Sequence, residues 1–206
     1  MGIYSRLIFP RLCDCVMRQP RLSRLRRELL SAVQGEVLEI GFGSGLNLPH
    51  YPERVRKITA VDPNPGMNAV AQKRINASSI GVDHRILSAE RMPLGDATFD
   101  SIVSTWTLCS IPNVDQALKE IHRVLKPGGK FFFLEHGRSD EPAVQKWQDR
   151  LTPLNKKLAD GCHLNREIKA LIEKTGLNMA HLDRFYMEKA PKIFGSIYQG
   201  VALKPE

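Results

Sequence analysis

Three glycines at alternate positions directly follow a short apolar run in the stretch EVLEIGFGSGLN, residues 36–47. A strand that ends in such a turn and leads into a helix presents free backbone N–H groups and the positive helix end to a ligand above the sheet. The pattern therefore predicts an α/β fold with a nucleotide-like ligand at this edge; the alternative is a structural tight turn. The third glycine comes one position early for the dinucleotide fingerprint G-x-G-x-x-G. A smaller ligand with an adenosine and an amino-acid carboxylate fits better than a pyrophosphate.

Four apolar runs rich in β-branched and aromatic residues, EVLEI, KITAV, DSIVST and KFFFLE, alternate with stretches of helical period. This alternation is typical of a parallel sheet wrapped by helices. In NVDQALKEIHRVLKPGG, Asn113 is expected to cap a helix whose apolar positions among residues 114–125 share one face, and residues 127–129 are expected to end it. From Leu177 onward, two further strands form the expected closing hairpin at one sheet edge.

With 206 residues, 42% hydrophobic and 25% charged, the chain has the composition of one globular domain rather than of a disordered or membrane protein. No apolar run approaches the roughly 20 residues of a spanning helix, so a cytoplasmic location is expected. The cysteines Cys13, Cys15, Cys109 and Cys162 form neither a C-x-x-C pair nor a zinc-ligand spacing. Buried reduced thiols and no metal site are therefore expected.

Positive charge is concentrated at the N-terminal end, where residues 1–27 hold seven arginines and a single acid, Asp14. We expect residues 1–34 to form a helical arm over the active site with solvated arginines, or else to make weak contact with an anionic membrane surface. Residues 35–136 would form the cofactor-binding half of one domain, and residues 137–206 its acceptor-side helices and closing strands. No aromatic stacking surface accompanies the charge, so nucleic acid is not an expected partner.

Two further segments place polar residues at expected strand ends. Asp62 ends the strand in ITAVDPNPGM, where Asn64 and Pro65 are expected to cap and begin a helix. An acid at the end of the strand beside the glycine turn can accept hydrogen bonds from both ribose hydroxyls. Ala89 and Glu90 are expected at the end of a third strand, where they could face an adenine.

This constellation resembles the class I S-adenosylmethionine-dependent methyltransferases over roughly residues 36–136. The resemblance implies S-adenosyl-L-methionine as the cofactor and a Rossmann-like, mostly parallel seven-stranded sheet with its last strand antiparallel and helices on both faces. EIGFGSG would line the methionine part of the cofactor, Asp62 the ribose, and Ala89 and Glu90 the adenine. The residues expected at the cofactor are Glu39, Gly41, Phe42, Gly43, Gly45, Asn47, Asp62, Pro63, Met67, Ala89, Glu90, Thr105 and Trp106.

The segments STWTLCSIPN, LEH and DGCHLNRE are similar to the human methyltransferase-like thiol methyltransferases, and this region also resembles phosphatidylethanolamine and quinone methyltransferases. The resemblance implies S-methylation of a small thiol or sulfide, such as hydrogen sulfide or methanethiol. The alternatives are methylation of a phosphatidylethanolamine headgroup or a quinone at a membrane surface, and a non-catalytic cofactor-binding module.

A thiol acceptor reacts as its thiolate, so a base beside it would raise the reactive fraction. Histidine is the natural choice near neutral pH. His136 follows the fifth strand at its carboxyl end, His163 lies in a loop before a helix, and Asp160 could orient either ring. These three residues are the catalytic candidates.

Overall fold

The computed structural model describes residues 2–206, which contain one seven-stranded sheet in the order β3-β2-β1-β4-β5-β7-β6. The strands are β1 (Val37–Ile40), β2 (Lys57–Val61), β3 (Gly81–Arg85), β4 (Phe99–Thr105), β5 (Leu125–His136), β6 (Asn178–Tyr186) and β7 (Ser196–Leu203). Among the described residues, β7 alone runs antiparallel to the other strands, since it pairs antiparallel with both β5 and β6. The predicted sheet and its closing hairpin are confirmed. The strand order reverses between β1 and β4, which leaves a crevice above their carboxyl ends.

Helices cover both faces of this sheet. They are α1 (Phe9–Met17), α2 (Pro20–Leu30), α3 (Pro65–Ala77), α4 (Val114–Val124), α5 (Pro142–Leu158), α6 (Ile168–Glu173) and α7 (Lys192–Gly195), with a π-helical segment at Tyr4–Ile8 and a 3-10 turn at Leu48–His50. Successive residues of β5 belong to two separate apolar cores. Phe131 and Phe133 pack with α4 and α6, whereas Phe132 packs with α2 and α3. Because side chains alternate along a strand, the two cores lie on opposite faces.

Helix α4 begins as the sequence predicts and ends earlier. Asn113 caps it, with its side-chain oxygen accepting from the Gln116 N–H at 3.1 Å. Leu125, expected on the helix, instead begins β5 and pairs with Phe99. At this end of the helix, the Thr98 N–H in the turn before β4 donates to the carbonyl of Val124 at 2.8 Å, so this carbonyl is bonded outside the helix.

The N-terminal arm packs against α3. Buried Asp14 of α1 forms an ion pair with Arg74 of α3, with 2.8 Å between Oδ1 and Nη1. The two segments also approach closely at Gly66, where a side chain would collide with the Arg6 carbonyl. All four cysteines are free, but of the four only Cys109 is buried: Cys13 and Cys162 are half-buried, and Cys15 is exposed on the outer face of α1. No helix within residues 2–206 has the length and apolarity to cross a bilayer.

Candidate active site

A cavity of about 470 Å³ opens above the carboxyl ends of β1, β2 and β4. Its volume lies within the usual range of small-molecule sites, roughly 300–1,000 Å³. All of the residues that the sequence assigned to the cofactor line this cavity except Gly45. The structure therefore brings together side chains that are separated by up to about 70 positions in sequence, as parallel strands do at their common carboxyl edge.

The glycine turn has a conformation that requires its glycines. Gly41, Gly43 and Gly45 have φ angles of 71°, 57° and 78°, which residues with a Cβ rarely adopt. A Cβ at Gly41 would collide with the Thr107 side chain, whereas one at Gly43 would meet only the Gly41 carbonyl, at 3.8 Å. Gly43 thus leaves cavity space free for a ligand. Gly45 does not line the cavity, and a Cβ at this position would lie 3.3 Å from the Phe42 ring.

Asp62, directly after β2, holds the glycine turn and faces the cavity. Its Oδ2 accepts from the Gly43 N–H and its Oδ1 from the Asn64 N–H, both at 2.8 Å. Asn64 caps α3 as predicted, accepting from the Gly66 N–H at 2.9 Å. Burial raises the pKa of Asp62, and the two backbone hydrogen bonds oppose this shift. Each oxygen of Asp62 retains acceptor capacity, so the carboxylate suits a ligand's vicinal hydroxyls.

Glu39 is buried on β1 beside the glycine turn. Its Oε1 accepts from Asn47 Nδ2 at 2.9 Å and its Oε2 from the Tyr51 hydroxyl at 2.7 Å. Burial raises the pKa of Glu39 to about 7, against the effect of these hydrogen bonds. Asn47 lines the cavity, whereas its Oδ1 atom is buried and has no hydrogen-bond partner among residues 2–206.

Arg26 is a cavity residue that the sequence analysis missed. It lies on α2 and is 3% exposed, with its guanidinium carbon 4.7 Å from the centre of the Trp106 ring. Burial lowers the pKa of Arg26 to about 10, and the charge of Glu39 opposes this. The sequence held a signal, because Arg26 follows Leu22 by four positions and precedes Leu29 by three. An arginine on the apolar face of an amphipathic helix is expected to be buried with that face, so Arg26 departs from the solvated arginines expected for the arm.

Ala89 and Glu90 line the cavity from the loop after β3. The strand ends at Arg85, so the pair lies beyond the strand and not at its end as predicted. The hydroxyl of Ser88 causes a local turn by accepting from the Glu90 N–H at 3.2 Å, and Glu90 in turn accepts from the Asn113 N–H at 2.6 Å. These bonds attach the loop to the start of α4.

The other predicted cofactor residues complete the wall. Pro63 and Met67 follow Asp62, while Thr105 and Trp106 lie at the end of β4. Trp106 has a φ of 51°, an uncommon value for a bulky residue, and its N–H donates to the Leu134 carbonyl at 2.7 Å. Such strained residues concentrate at binding sites.

The structure separates the three catalytic candidates. Asp160 lines the cavity, whereas His136 and His163 lie behind its wall. Asp160 is not hydrogen-bonded to either ring: its Oδ1 accepts from the Ser5 hydroxyl at 2.8 Å and its Oδ2 from Asn64 Nδ2 at 3.4 Å. The arm brings Ser5 to this carboxylate, a long-range contact that the sequence did not indicate.

His136, at the carboxyl end of β5, contacts two cysteines instead. Its Nε2 lies 3.2 Å from the Sγ of Cys162, which lies 3.6 Å from the Sγ of Cys109. The hydrogen bond from Cys162 and the charge of His136 lower the pKa of Cys109. Burial opposes protonation of His136, but the Cys109 thiolate raises the pKa of the imidazole. Burial lowers the pKa of His163, whose Nδ1 lies 3.1 Å from the Cys109 carbonyl oxygen.

The sheet order, the open glycine turn and the strand-end acid define an α/β enzyme with an adenosine-containing cofactor at its switch point. The family described as "Methyltransferase domain" matches residues 38–133. Thiol S-methyltransferase TMT1A of Homo sapiens is 30% identical over 207 residues, covering 92% of this chain and 82% of the relative. The chain belongs to the S-adenosylmethionine-dependent methyltransferases, and S-adenosylmethionine is its cofactor.

Two further comparisons concern other parts of this family. The ubiquinone/menaquinone biosynthesis C-methyltransferase UbiE of Rubrivivax gelatinosus is 46% identical over 117 residues, covering 56% of this chain and 45% of the relative. The crystal structure of a putative methyltransferase from Bacillus halodurans has a TM-score of 0.71 at 18% identity, covering 88% of this chain and 99% of that chain. The latter likeness concerns the fold.

Proposed function

We propose that the protein transfers the methyl group of S-adenosylmethionine to the sulfur of a small thiol or sulfide. The observation that carries this proposal is the extent of similarity: the thiol S-methyltransferase matches 92% of the chain, whereas the quinone-pathway enzyme matches 56%. A match of 92% must include much of the arm and the acceptor-side segments outside residues 35–136. Those segments, rather than the cofactor half, distinguish one acceptor from another.

The cavity residues fit the cofactor. Asp62 is proposed to accept from the ribose hydroxyls. Arg26, whose Nη1 also donates to the Met17 carbonyl at 2.9 Å, is proposed to donate to the carboxylate through its planar fork. Glu90 and Ala89 would face the adenine. When bound, the cofactor supplies an activated methyl group on its sulfonium centre, so the protein's task is to orient an acceptor and exclude water.

The acceptor would bind in the part of the cavity that the cofactor leaves free. Phe9 and Met17 of α1 line this space and would keep water out. Asp160 is the proposed proton acceptor for the thiol, since its carboxylate lines the cavity. His136 and His163 remain candidates only for an acceptor that reaches behind the cavity wall.

The experiment is an acceptor screen that follows release of S-adenosylhomocysteine from hydrogen sulfide, methanethiol, larger thiols, a quinone precursor and phosphatidylethanolamine vesicles. Turnover with small thiols alone is expected. Asp160→Asn should retain cofactor affinity and lower thiol turnover by roughly 100-fold or more; the matched control is Asp140→Asn, an exposed carboxylate paired with Arg184. Turnover of lipid or quinone but not thiol contradicts the proposal, and cofactor binding with no acceptor turned over would assign a non-catalytic module.

One observation favours a second candidate, an acceptor drawn from a membrane surface. The arm carries an outer apolar surface, defined as Ile3, Leu7, Ile8, Leu12 and Val16, whose residues are 49–77% exposed. Exposed Leu158 adjoins it, since the Tyr4 hydroxyl donates to the Leu158 carbonyl at 2.7 Å. Exposed Arg6 and Arg11 lie on the same arm. Apolar side chains among arginines are the composition of a surface that enters an anionic lipid interface.

A further inference from the structure

Three metal-ligating side chains meet behind the acceptor wall. Cys109 comes from the loop after β4, His136 from the end of β5 and Cys162 from the loop after α5. Their ligand atoms all lie within 4.8 Å of one another. Cys109 and His136 are buried, while Cys162 is half-buried, which gives an ion a route from solvent.

Two of the three spacings between these atoms match a tetrahedral zinc ion, and the third pair, Cys109 Sγ and the His136 ring nitrogen, lies within 4.8 Å. With zinc–sulfur bonds of about 2.3 Å and zinc–nitrogen bonds of about 2.0 Å, tetrahedral angles place two sulfurs about 3.8 Å apart and a sulfur and nitrogen about 3.5 Å apart. The observed distances are 3.6 Å between the sulfurs and 3.2 Å from Cys162 Sγ to His136 Nε2. Only a few tenths of an ångström separate the two sets.

We propose that Cys109, His136 and Cys162 form a zinc site. Two thiolates and an imidazole form a ligand set that binds zinc in preference to harder cations.

Sequence spacing gave no indication of this site because its three ligands lie on three segments that only the fold brings together. The ion would hold two loops to the end of β5. Ser110 and Gly161, the neighbours of Cys109 and Cys162, line the cavity, so the same ion would fix part of the acceptor wall. The three-ligand set leaves a fourth position for water or an exogenous thiolate. Zinc binding also excludes the proposed role of His136 as a base, since its Nε2 lone pair would be occupied.

The test is metal binding by the full chain, measured without any turnover. The chain is purified under reducing conditions, stripped with a chelator and titrated with Co²⁺, then with Zn²⁺. One equivalent of Co²⁺ should produce a thiolate-to-metal charge-transfer band and the intense visible bands of a tetrahedral site, and Zn²⁺ should abolish both. Zn²⁺ should also raise the melting temperature.

Cys162→Ser and Cys109→Ser should each weaken zinc affinity by more than about 100-fold. Loss of a residue that only supports a metal ligand already weakens metal affinity by up to about 100-fold, and these two residues are the ligands themselves. Cys15→Ser, at the exposed cysteine of α1, is the matched control and should bind zinc normally. Cofactor binding by calorimetry checks that each variant is folded. Absence of the charge-transfer band in the wild type overturns the proposal, as does equal binding by all variants. Loss of two reactive thiols on mild oxidation, with no metal uptake, would assign the pair to a disulfide and also overturn it.

Discussion

The Gly43 N–H donates a 2.8 Å hydrogen bond to Asp62 Oδ2, which joins the glycine turn after β1 to the acid after β2. The acid therefore has two tasks, since the carboxylate proposed to bind the ribose also fixes the backbone beneath the cofactor. A substitution at Asp62 should affect both.

Asp62→Ala should weaken S-adenosylmethionine binding by about 1.5–3 kcal/mol, the usual value for hydrogen bonds to a charged group. Calorimetry measures this loss. Asp83→Ala is the control, because Asp83 is a carboxylate on the neighbouring β3 whose partner is the half-exposed Arg85. If Asp62→Ala is folded and binds with wild-type affinity, the ribose lies elsewhere.

Gly43→Ala and Gly41→Ala should fail in different ways. An alanine at Gly41 collides with Thr107, so this variant should lose thermal stability. An alanine at Gly43 makes only an ordinary contact with the Gly41 carbonyl, at 3.8 Å, so its stability cost should be limited to the positive φ, about 1 kcal/mol. Its methyl group would occupy ligand space, and cofactor affinity should fall sharply. Melting temperature and calorimetry together separate the two effects; normal cofactor affinity in folded Gly43→Ala would contradict the proposed placement.

Glu39 should make the protein less stable as pH rises. Folding raises the pKa of Glu39 from its ordinary value of 4.5 to about 7 through burial. The folded state therefore binds the proton more tightly, and stability falls between about pH 4.5 and 7 and is level above that. A difference of about 2.5 in pKa corresponds to about 3 kcal/mol at most.

Glu39→Gln should remove this component, so its melting temperature should fall less between pH 5 and 8 than that of the wild type. Glu53→Gln, at an exposed carboxylate, is the control and should follow the wild type. Parallel profiles for all three proteins would mean that the Glu39 pKa is not raised by folding. Tyr51 and Asn47 would then stabilise the charge more strongly than burial opposes it.

The sequence predicted the sheet and the turns that follow β1 and β2 well because those features are local. Strand runs, the glycine turn and the Asn64 cap depend on neighbouring residues. The acceptor side depends on contacts between distant segments, such as Ser5 with Asp160 and Cys109 with Cys162, and no period or spacing records those. Arg26 belongs to the cavity through contacts between distant segments, but its position on an apolar helix face was a local signal that the sequence did contain.

The arm should bind anionic vesicles through its outer apolar surface. Leu7→Ser/Leu12→Ser should reduce the vesicle-bound fraction in flotation, and salt should weaken binding by the wild type because surface charges are screened over about 10 Å at 0.1 M. Turnover of a soluble thiol should be unchanged. Ile86→Ser, at an exposed apolar residue after β3 that is 53% exposed, should bind as the wild type does. Absence of wild-type binding would remove the support for a membrane-derived acceptor.

Arg26→Lys should weaken cofactor binding because lysine keeps the charge but loses the planar fork that matches a carboxylate. The expected loss is about 1.5–3 kcal/mol, and exposed Arg27→Lys is the control. The decisive ligand is decarboxylated S-adenosylmethionine. If Arg26 binds the carboxylate, wild type and Arg26→Lys should bind this analogue equally, because the group that the fork contacts is gone, and the coupling between side chain and ligand carboxylate can be calculated from the four affinities. If the variant weakens both ligands equally, Arg26 instead acts on the shape of the cavity through its contact with Trp106.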